Sequence, residues 1–239
     1  DRPPKGEIMI DPDFLALYEP GYTDKFSTAL RVLDDFDLDI VSEDLPRPAP
    51  RQIGTSERGL PVYEDCWGVH YEYAQDSLHY IDFLVPEPAA ATAFEFPDPA
   101  IYRADNLARW KRETERCVFA IVGGTFDNLV PLMGFDALMF WAIEAPEALS
   151  TLAWKAARFN AALAEVAAAG GADVILVADD IAYNNGTFVS PAVMRAAFFP
   201  PMQWLVNEVY RRTNRPCFLH SDGNLNAVLD DIVACGFDG

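Results

Sequence analysis

Three short, largely apolar runs along the chain have the pattern of strands that are buried on both faces. They cover residues 117–122, 173–178 and 216–219, and a polar or glycine-rich segment follows each of them. Runs of this length are typical of parallel sheets, which are covered on both sides. Residues 7–10 and 38–41 show a weaker form of the same pattern. The sequence therefore predicts five strands of one parallel sheet.

Helical patterns separate the later strands. Apolar residues recur with helical spacing over 149–167, and two glycines at 170–171 form the expected C-cap. Ser190 and Pro191 supply an N-cap and a first-position proline for the next helix, which a double proline at 200–201 should kink or split. Strands alternating with helices predict an α/β fold, either a barrel or a doubly wound sheet.

The segment 46–99 interrupts this alternation. It is rich in proline, glycine and aromatic residues, and strand-like alternation occurs near 69–73 and 79–85. We predict that 46–99 is an excursion made of a small hairpin and loops. It should stand over one end of the sheet, within a single domain that spans 1–239.

Composition and charge narrow the function. The 239 residues are 51% hydrophobic, which is enough for a large core, and 18 basic against 37 acidic residues give a net charge of −19. This charge disfavours nucleic acid, anionic membranes and polyanionic substrates. The apolar runs fall short of the roughly 18 residues that span a bilayer. The four cysteines lack the pairing of a disulfide scaffold or zinc knuckle. We therefore predict a cytoplasmic protein that binds neither nucleic acid nor membrane.

Polar residues follow every predicted strand. Loops at the carboxyl ends of parallel strands carry the ligand in α/β proteins. Here these loops hold Asp11, Asp13, Glu43, Asp44, Thr125, Asp179, Asp180, Tyr183, His220, Ser221, Asp222 and Asn224. Acidic side chains and one histidine on a common rim suit metal ligation or proton transfer. Aspartates are also common turn caps, and that role is the simpler explanation for a lone Asp-Asp pair.

His220 has the strongest signal among these residues. It ends an apolar strand, and the small polar residues 221–224 that follow allow a close approach of the backbone to a ligand. Imidazole is both a common metal ligand and a near-neutral acid or base. His220 and Asp222 project to the same side of an extended segment, so that one metal could bind both.

The sequence Phe-Leu-His-Ser-Asp-Gly-Asn at 218–224, with the paired aspartates at 179–180 and Gly-Phe-Asp-Gly at 236–239, resembles the uroporphyrinogen decarboxylase superfamily. Residues 96–99 and 124–126 add upstream support. This superfamily includes cobalamin-dependent methyltransferases as well as the decarboxylase. The resemblance covers the chain from about residue 94 onward.

The resemblance implies a (β/α)8 barrel of the TIM-barrel type, with the active-site cleft at the carboxyl ends of the strands. The five predicted strands would then be the first five of eight. We therefore expect the barrel domain to be truncated at the C-terminus, after about five βα units. The resemblance also implies a homodimer.

Two departures distinguish the branches of this superfamily. The decarboxylase has an Arg-Gln-Ala-Gly-Arg segment after its first strand, whereas residues 8–13 read Ile-Met-Ile-Asp-Pro-Asp here. An acidic loop would repel a polycarboxylate tetrapyrrole. The methyltransferases bind zinc through His-x-Cys and a later Cys. His220 matches that histidine, and Asp222 stands where the first cysteine would be. Histidine with carboxylates also binds zinc.

The resemblance therefore implies a corrinoid-linked methyltransferase that moves a methyl group between a small O- or N-methyl donor and a cobalamin-bearing partner protein or a thiol. The catalytic residues would be His220, Glu43, Asp179 and Tyr183. The zinc ligands would be His220 and Asp222. The substrate-binding residues would be Asp180, Asn224, Ser221 and Thr125. Two alternatives stay open, namely the uroporphyrinogen decarboxylase of porphyrin biosynthesis and a non-catalytic barrel fragment.

Overall fold

The computed structural model describes residues 2–74 and 77–239. Its α-helices are α1 (Pro12–Tyr18), α2 (Lys25–Asp35), α3 (Asp105–Glu113), α4 (Val130–Met133), α5 (Phe135–Glu144), α6 (Pro146–Ala169), α7 (Pro191–Val193), α8 (Phe199–Thr213) and α9 (Leu229–Cys235). Its strands are β1 (Ile40–Asp44), β2 (Arg51–Thr55), β3 (Pro61–Glu64), β4 (His70–Ala74), β5 (Ser77–Asp82), β6 (Cys117–Gly123), β7 (Val174–Ala178), β8 (Ala182–Tyr183), β9 (Gly186–Thr187) and β10 (Cys217–His220).

A parallel sheet forms the centre of the molecule. Its strands lie in the order β1-β6-β7-β10, so consecutive strands of this set are neighbours. Val118, Ile175 and Val177 are fully buried because helices cover the sheet. The four later predicted strands are confirmed, with ends that shift by at most three residues. The fold is therefore mixed α/β with a parallel sheet, and closure into an eight-stranded barrel stays a prediction.

Residues 7–10, predicted as the first strand, do not form one. Only Gly6 makes an isolated parallel bridge, to Ile40, within the described part of this region. Helix α1 begins immediately after Asp11, whose Oδ1 accepts a hydrogen bond from the Asp13 N–H at 2.7 Å. The cap starts a helix before the apolar segment is long enough to pair with β1, so the prediction was wrong here.

The excursion over 46–99 is larger than the predicted single hairpin. Strands β2 to β5 form a four-stranded antiparallel sheet in chain order. Strand β2 is exposed along its whole length and β3 is at most half-buried, so no apolar alternation marked either of them. One face of this sheet carries Tyr63, Tyr71 and Tyr80 in register, with Tyr71 opposite both of the others.

The predicted helices are confirmed, and the double proline has a specific consequence. Helix α6 includes the whole of 149–167, and the Ser190 side chain caps α7. A π-helical turn over Met194–Phe198 separates α7 from α8. Pro200 and Pro201 then occupy the first turn of α8, where a helix needs no backbone N–H donors. Among the described helices, none has both the length and the apolar character that a bilayer crossing requires.

Candidate functional site

The loops that follow β7 and β10 are joined at the carboxyl edge of the parallel sheet. The Asp179 N–H donates to the His220 carbonyl at 3.0 Å, and the Asn224 N–H donates to the Tyr183 carbonyl at 2.9 Å. Gly223 allows this approach, since a Cβ at its position would lie 2.6 Å from backbone of the β7 loop. Its φ of +89° also favours glycine.

Three side chains with metal-binding atoms meet at this junction, and we call them the His220 cluster (Asp180, His220 and Asp222). His220 Nε2 lies 3.9 Å from Asp180 Oδ1 and 4.0 Å from Asp222 Oδ1. The Asp222 N–H donates to Asp180 Oδ1 at 2.9 Å, which ties the two loops together. Both aspartates are exposed and His220 is half-buried, so the cluster is accessible to a ligand.

The His220 cluster offers three ligand atoms that could hold a divalent metal. Zinc bonds of 2.0–2.2 Å to nitrogen and oxygen place tetrahedral ligand atoms roughly 3.4 Å apart. The three ligand atoms here lie within 4.8 Å of one another, so the side chains would have to close on the ion to reach that spacing. Three protein ligands with one position left for water or substrate are typical of catalytic zinc.

Asp179 precedes this cluster but faces the other way. It is fully buried, and its Oδ1 accepts hydrogen bonds from the Asp127 N–H at 2.7 Å and the Phe126 N–H at 3.1 Å. Its Oδ2 accepts from the Thr125 N–H at 2.8 Å. Burial raises the pKa of Asp179 to about 6, while these backbone donors favour the ionised form and lower it. Asp179 thus ties the β6 loop to the end of β7.

The residues around Asp179 leave no room for a ligand, and we call Gly124, Thr125 and Asp179 the packed junction. A Cβ at Gly124 would lie 2.0 Å from Asp179 Cγ, so the close contact requires glycine. Thr125 is fully buried, and its Oγ1 lies 3.4 Å from Asp179 Oδ2 and from the Phe198 carbonyl. The structure therefore places Thr125, predicted to bind substrate, inside the protein.

Glu43 lies apart from the His220 cluster. Strands β1 and β10 are the opposite edges of the parallel sheet. Glu43 instead lines a small cavity with Lys25 of α2 and Trp110 of α3. Burial raises the pKa of Glu43, and Lys25 opposes that shift. The structure does not bring this predicted catalytic residue to the cluster.

The other predicted residues shape the loop around the cluster. The Ser221 hydroxyl accepts a hydrogen bond from the Ile181 N–H at 3.1 Å, and Asn224 Oδ1 accepts one from the N–H two residues further along, also at 3.1 Å. Tyr183 is half-exposed, and its ring stacks on Phe188 at 5.7 Å. Of these three side chains, that of Tyr183 is the most exposed, whereas Ser221 and Asn224 are half-buried.

Two cavities lie at the same end of the sheet as the cluster, although none of the three cluster residues lines either of them. The inner cavity, of about 490 Å³, lies at the carboxyl ends of β1, β6 and β7, and the outer cavity, of about 340 Å³, lies under the antiparallel sheet. Both are lined by Arg47, Trp67, Asp127 and Asn128. The excursion over 46–99 therefore contributes side chains to the same end of the sheet as the cluster.

Asp127 was not predicted from the sequence. Burial and the nearby charge of Asp180 both raise its pKa, so this carboxylate lies within electrostatic reach of the His220 cluster as well as lining both cavities. Asp127 follows β6 by four residues, and its position in a strand-end loop was the available signal.

Comparison with known proteins confirms the family that the sequence motifs indicated. The chain matches the uroporphyrinogen decarboxylase (URO-D) family over residues 67–239, and it belongs to that family. Its curated relatives include a methylcobamide:CoM methyltransferase MtaA from Methanosarcina barkeri (strain Fusaro / DSM 804), 27% identical over 142 residues. Another MtaA from Methanosarcina barkeri is 26% identical over 141 residues. Each match covers 59% of this chain and 40% of the relative.

A solved structure supports the same fold. A methyltransferase from Methanosarcina mazei superposes with a TM-score of 0.66 at 19% identity, over 88% of this chain and 59% of that protein. The chain thus spans about two-fifths of the curated relatives' length in the sequence matches. Within the family, these relatives confirm the predicted similarity to the methyltransferase-like branch.

Proposed function

We propose that this protein is a corrinoid-linked methyltransferase, which moves a methyl group between a small O- or N-methyl donor and a cobalamin-bearing partner protein or a thiol. The observation that carries this proposal is the His220 cluster, one imidazole and two carboxylates open to ligand at the carboxyl edge of the parallel sheet. The similarity to methylcobamide:CoM methyltransferases supports methyl transfer as the reaction class.

Asp180, His220 and Asp222 would hold a zinc ion. When bound, zinc supplies a Lewis acid that polarises the heteroatom of a methyl donor or lowers the pKa of a thiol. The bond from the Asp222 N–H to Asp180 Oδ1 fixes the Asp180 carboxylate against the segment that carries Asp222. Because this carboxylate is already held in place, metal binding has less conformational freedom to remove.

The three metal ligands favour an oxygen atom as the ligand that substrate supplies. Two carboxylates with one imidazole form a harder set than the His-x-Cys pattern with a second cysteine, because thiolates are the soft ligands. A hard site prefers an oxygen ligand, which favours a methyl ether over a thiol as the group that reaches the metal. Tyr183, half-exposed on the same loop as Asp180, is the side chain that we assign to orienting the donor.

The packed junction has a positioning role. Asp179 holds the β6 loop through three backbone N–H groups, and that loop carries Asp127 into both cavities. Asp179 and Thr125 would therefore act on the site through the loop, without touching substrate. We assign no catalytic role to Glu43, which faces another cavity.

The decisive experiment measures metal binding and methyl transfer together. Zinc is titrated calorimetrically into the wild-type protein, His220→Ala and Asp222→Asn, with Asp230→Asn, an exposed position on α9, as the matched control. Formation of methylcobalamin from cob(I)alamin is then followed with methyl ethers and methylamines as donors. We expect one zinc per chain and methyl transfer in the wild type and the control, and loss of both in the cluster variants.

Two results would reject the proposal. One is zinc binding that His220→Ala leaves unchanged, and the other is a zinc-loaded wild type that transfers no methyl group from any donor of the panel. Release of carbon dioxide from uroporphyrinogen by the same preparation would favour the decarboxylase instead.

A further inference from the structure

Arg47 stands out among the basic residues of this acidic protein. Most of the 18 basic side chains pair with a carboxylate, as Arg51 does with Glu64 and Arg195 with Asp231. Arg47 forms no ion pair with any residue that the structure describes, and it lines both cavities. An unpaired guanidinium at the junction of two cavities is a ready partner for an anion.

The Arg47 guanidinium is already oriented by a neighbouring ring. Its Cζ lies 5.1 Å from the centroid of the Trp67 ring, over the ring face. Trp67 is fixed in turn, because its Nε1 donates to the Tyr102 hydroxyl at 2.6 Å. A stacked guanidinium keeps its planar N–H groups free for a carboxylate, which they bind in a bidentate fashion.

Aromatic side chains form one wall of the outer cavity. Tyr71 and Tyr73 share a face of β4, and strand register places Tyr80 of β5 opposite Tyr71. The rings of Tyr71 and Tyr73 are nearly perpendicular, with centroids 5.6 Å apart. Tyr73 and Tyr80 remain partly exposed, so their rings are open to a planar ligand.

The inner cavity contains a buried acceptor without a partner. Asn160 is fully buried and lines this cavity, and its Nδ2 donates to the Gly124 carbonyl at 2.9 Å. Its Oδ1 has no hydrogen-bond partner in the described part of the chain. A buried acceptor of this kind requires a donor, which a water molecule in the cavity would supply beside a ligand that has only acceptor oxygens.

We propose that the two cavities bind a small aromatic monocarboxylate, with its carboxylate on Arg47 and its ring against Trp67 and the tyrosines of the antiparallel sheet. Asp65 and Asp127 also line the outer cavity, and their charge disfavours a ligand with several carboxylates. Binding of the acid does not depend on the proposed function. Only the ligand's role as methyl donor rests on it, and that donor would be a methoxybenzoate.

The test is a direct binding measurement. Calorimetric titrations of 3-methoxybenzoate, 3-methoxybenzamide and cyclohexanecarboxylate are compared for the wild type, Arg47→Gln and Arg51→Gln. Arg51 is the control, since it is an exposed arginine of β2 that lines neither cavity. Arg47 is itself exposed, so its variant should fold, and thermal unfolding verifies this.

We expect Arg47→Gln to weaken 3-methoxybenzoate binding at least roughly tenfold, which corresponds to about 1.4 kcal/mol. Its affinity for the neutral amide should not change, and Arg51→Gln should behave as the wild type. The wild type should also prefer the aromatic acid to the saturated one, because only the former has a ring face to stack.

Equal affinity of the wild type and Arg47→Gln for the acid, or no binding of the acid by the wild type, would overturn the inference. Failure of the proposed function has a different signature. In that case the acid binds through Arg47, yet no methyl group reaches cobalamin from any donor. Methyl transfer from methylamines alone, without binding of the aromatic acid, would remove the inference and leave the proposed function in place.

Discussion

Asp179 and Asp180 are adjacent in the chain, yet they belong to two regions with opposite properties. In the packed junction, Asp179 is fully buried and accepts three backbone N–H bonds. In the His220 cluster, Asp180 is exposed and accepts one backbone bond, from Asp222. An ionised carboxylate has about four acceptor sites, so Asp179 has about one left and is closed to solvent, whereas the exposed Asp180 keeps about three for a metal.

The comparison shows how one strand end serves stability and chemistry at once. Consecutive residues of an extended segment point in opposite directions. Asp179 therefore turns toward the loop after β6, and Asp180 turns toward the loop after β10. If this division is correct, substitutions in the packed junction should change the free energy of unfolding, and substitutions in the cluster should change ligand binding.

Gly124→Ala should have the largest effect on stability. Its new Cβ would lie 2.0 Å from Asp179 Cγ, which displaces the carboxylate from its backbone donors. We expect a loss of about 3 kcal/mol in the free energy of unfolding, measured by urea denaturation. Gly54→Ala is the control, because a Cβ there meets nothing within 4 Å. Equal stability of the two variants would show that the junction is not tightly packed.

Asp179→Asn should have the second-largest effect on stability. The amide keeps one acceptor oxygen and places an NH2 group against backbone donors, so at least one buried N–H loses its partner. We expect a loss of about 2 kcal/mol by the same measurement. Asp180→Asn is the matched control and should change stability by less than about 0.5 kcal/mol. If the two asparagine variants were equally stable, the proposed difference between a structural Asp179 and an exposed Asp180 would be wrong.

His220→Ala should change the stability of the metal-free protein only slightly, by about 0.5 kcal/mol, because its ring is half-buried at a loop junction. The response to zinc is the sharper measurement. Zinc at about 100 times its Kd should stabilise the wild type by about 2.7 kcal/mol, and a chelator should reverse this. An equal shift of the melting temperature in His220→Ala would place the metal elsewhere.

Asp222→Cys should have the smallest effect on the metal-free protein, because Asp222 is exposed. The thiolate would soften the donor set and restore the His-x-Cys pattern. We expect tighter zinc binding and weaker manganese binding in competition titrations, with Asp222→Ser as the control that supplies no thiolate. A manganese-to-zinc preference unchanged from wild type would indicate that residue 222 does not contact the metal.

Much of the parallel sheet was predictable from local patterns. Three apolar runs became β6, β7 and β10, and the residues after β7 and β10 met because parallel strands end at a common edge. His220 and Asp222 were predicted as metal ligands from their spacing at the end of one strand and from the resemblance, and His220 Nε2 lies 4.0 Å from Asp222 Oδ1. Asp180, predicted only to bind substrate, joins them as the third side chain of the cluster.

Other features depended on contacts between distant segments. Nothing local distinguishes Asp179 from Asp180, because their roles follow from which loop each one meets. Glu43 was grouped with the cluster because it follows a strand, but sheet order places β1 at the far edge. Strand β2 has no apolar face of its own, so its pairing in the antiparallel sheet left no pattern to detect.

The sequence by itself determined the α/β class, the strand and helix positions of the second half, the acidic character and the family resemblance, because each depends on periodicity, composition or a contiguous motif. Only the tertiary structure decided which carboxylates are buried and hydrogen-bonded and which are exposed, and that Arg47 lines two cavities without an ion pair among the described residues, in a protein with net charge −19. Net charge describes the whole chain, whereas binding depends on the few groups within a Debye length of roughly 10 Å.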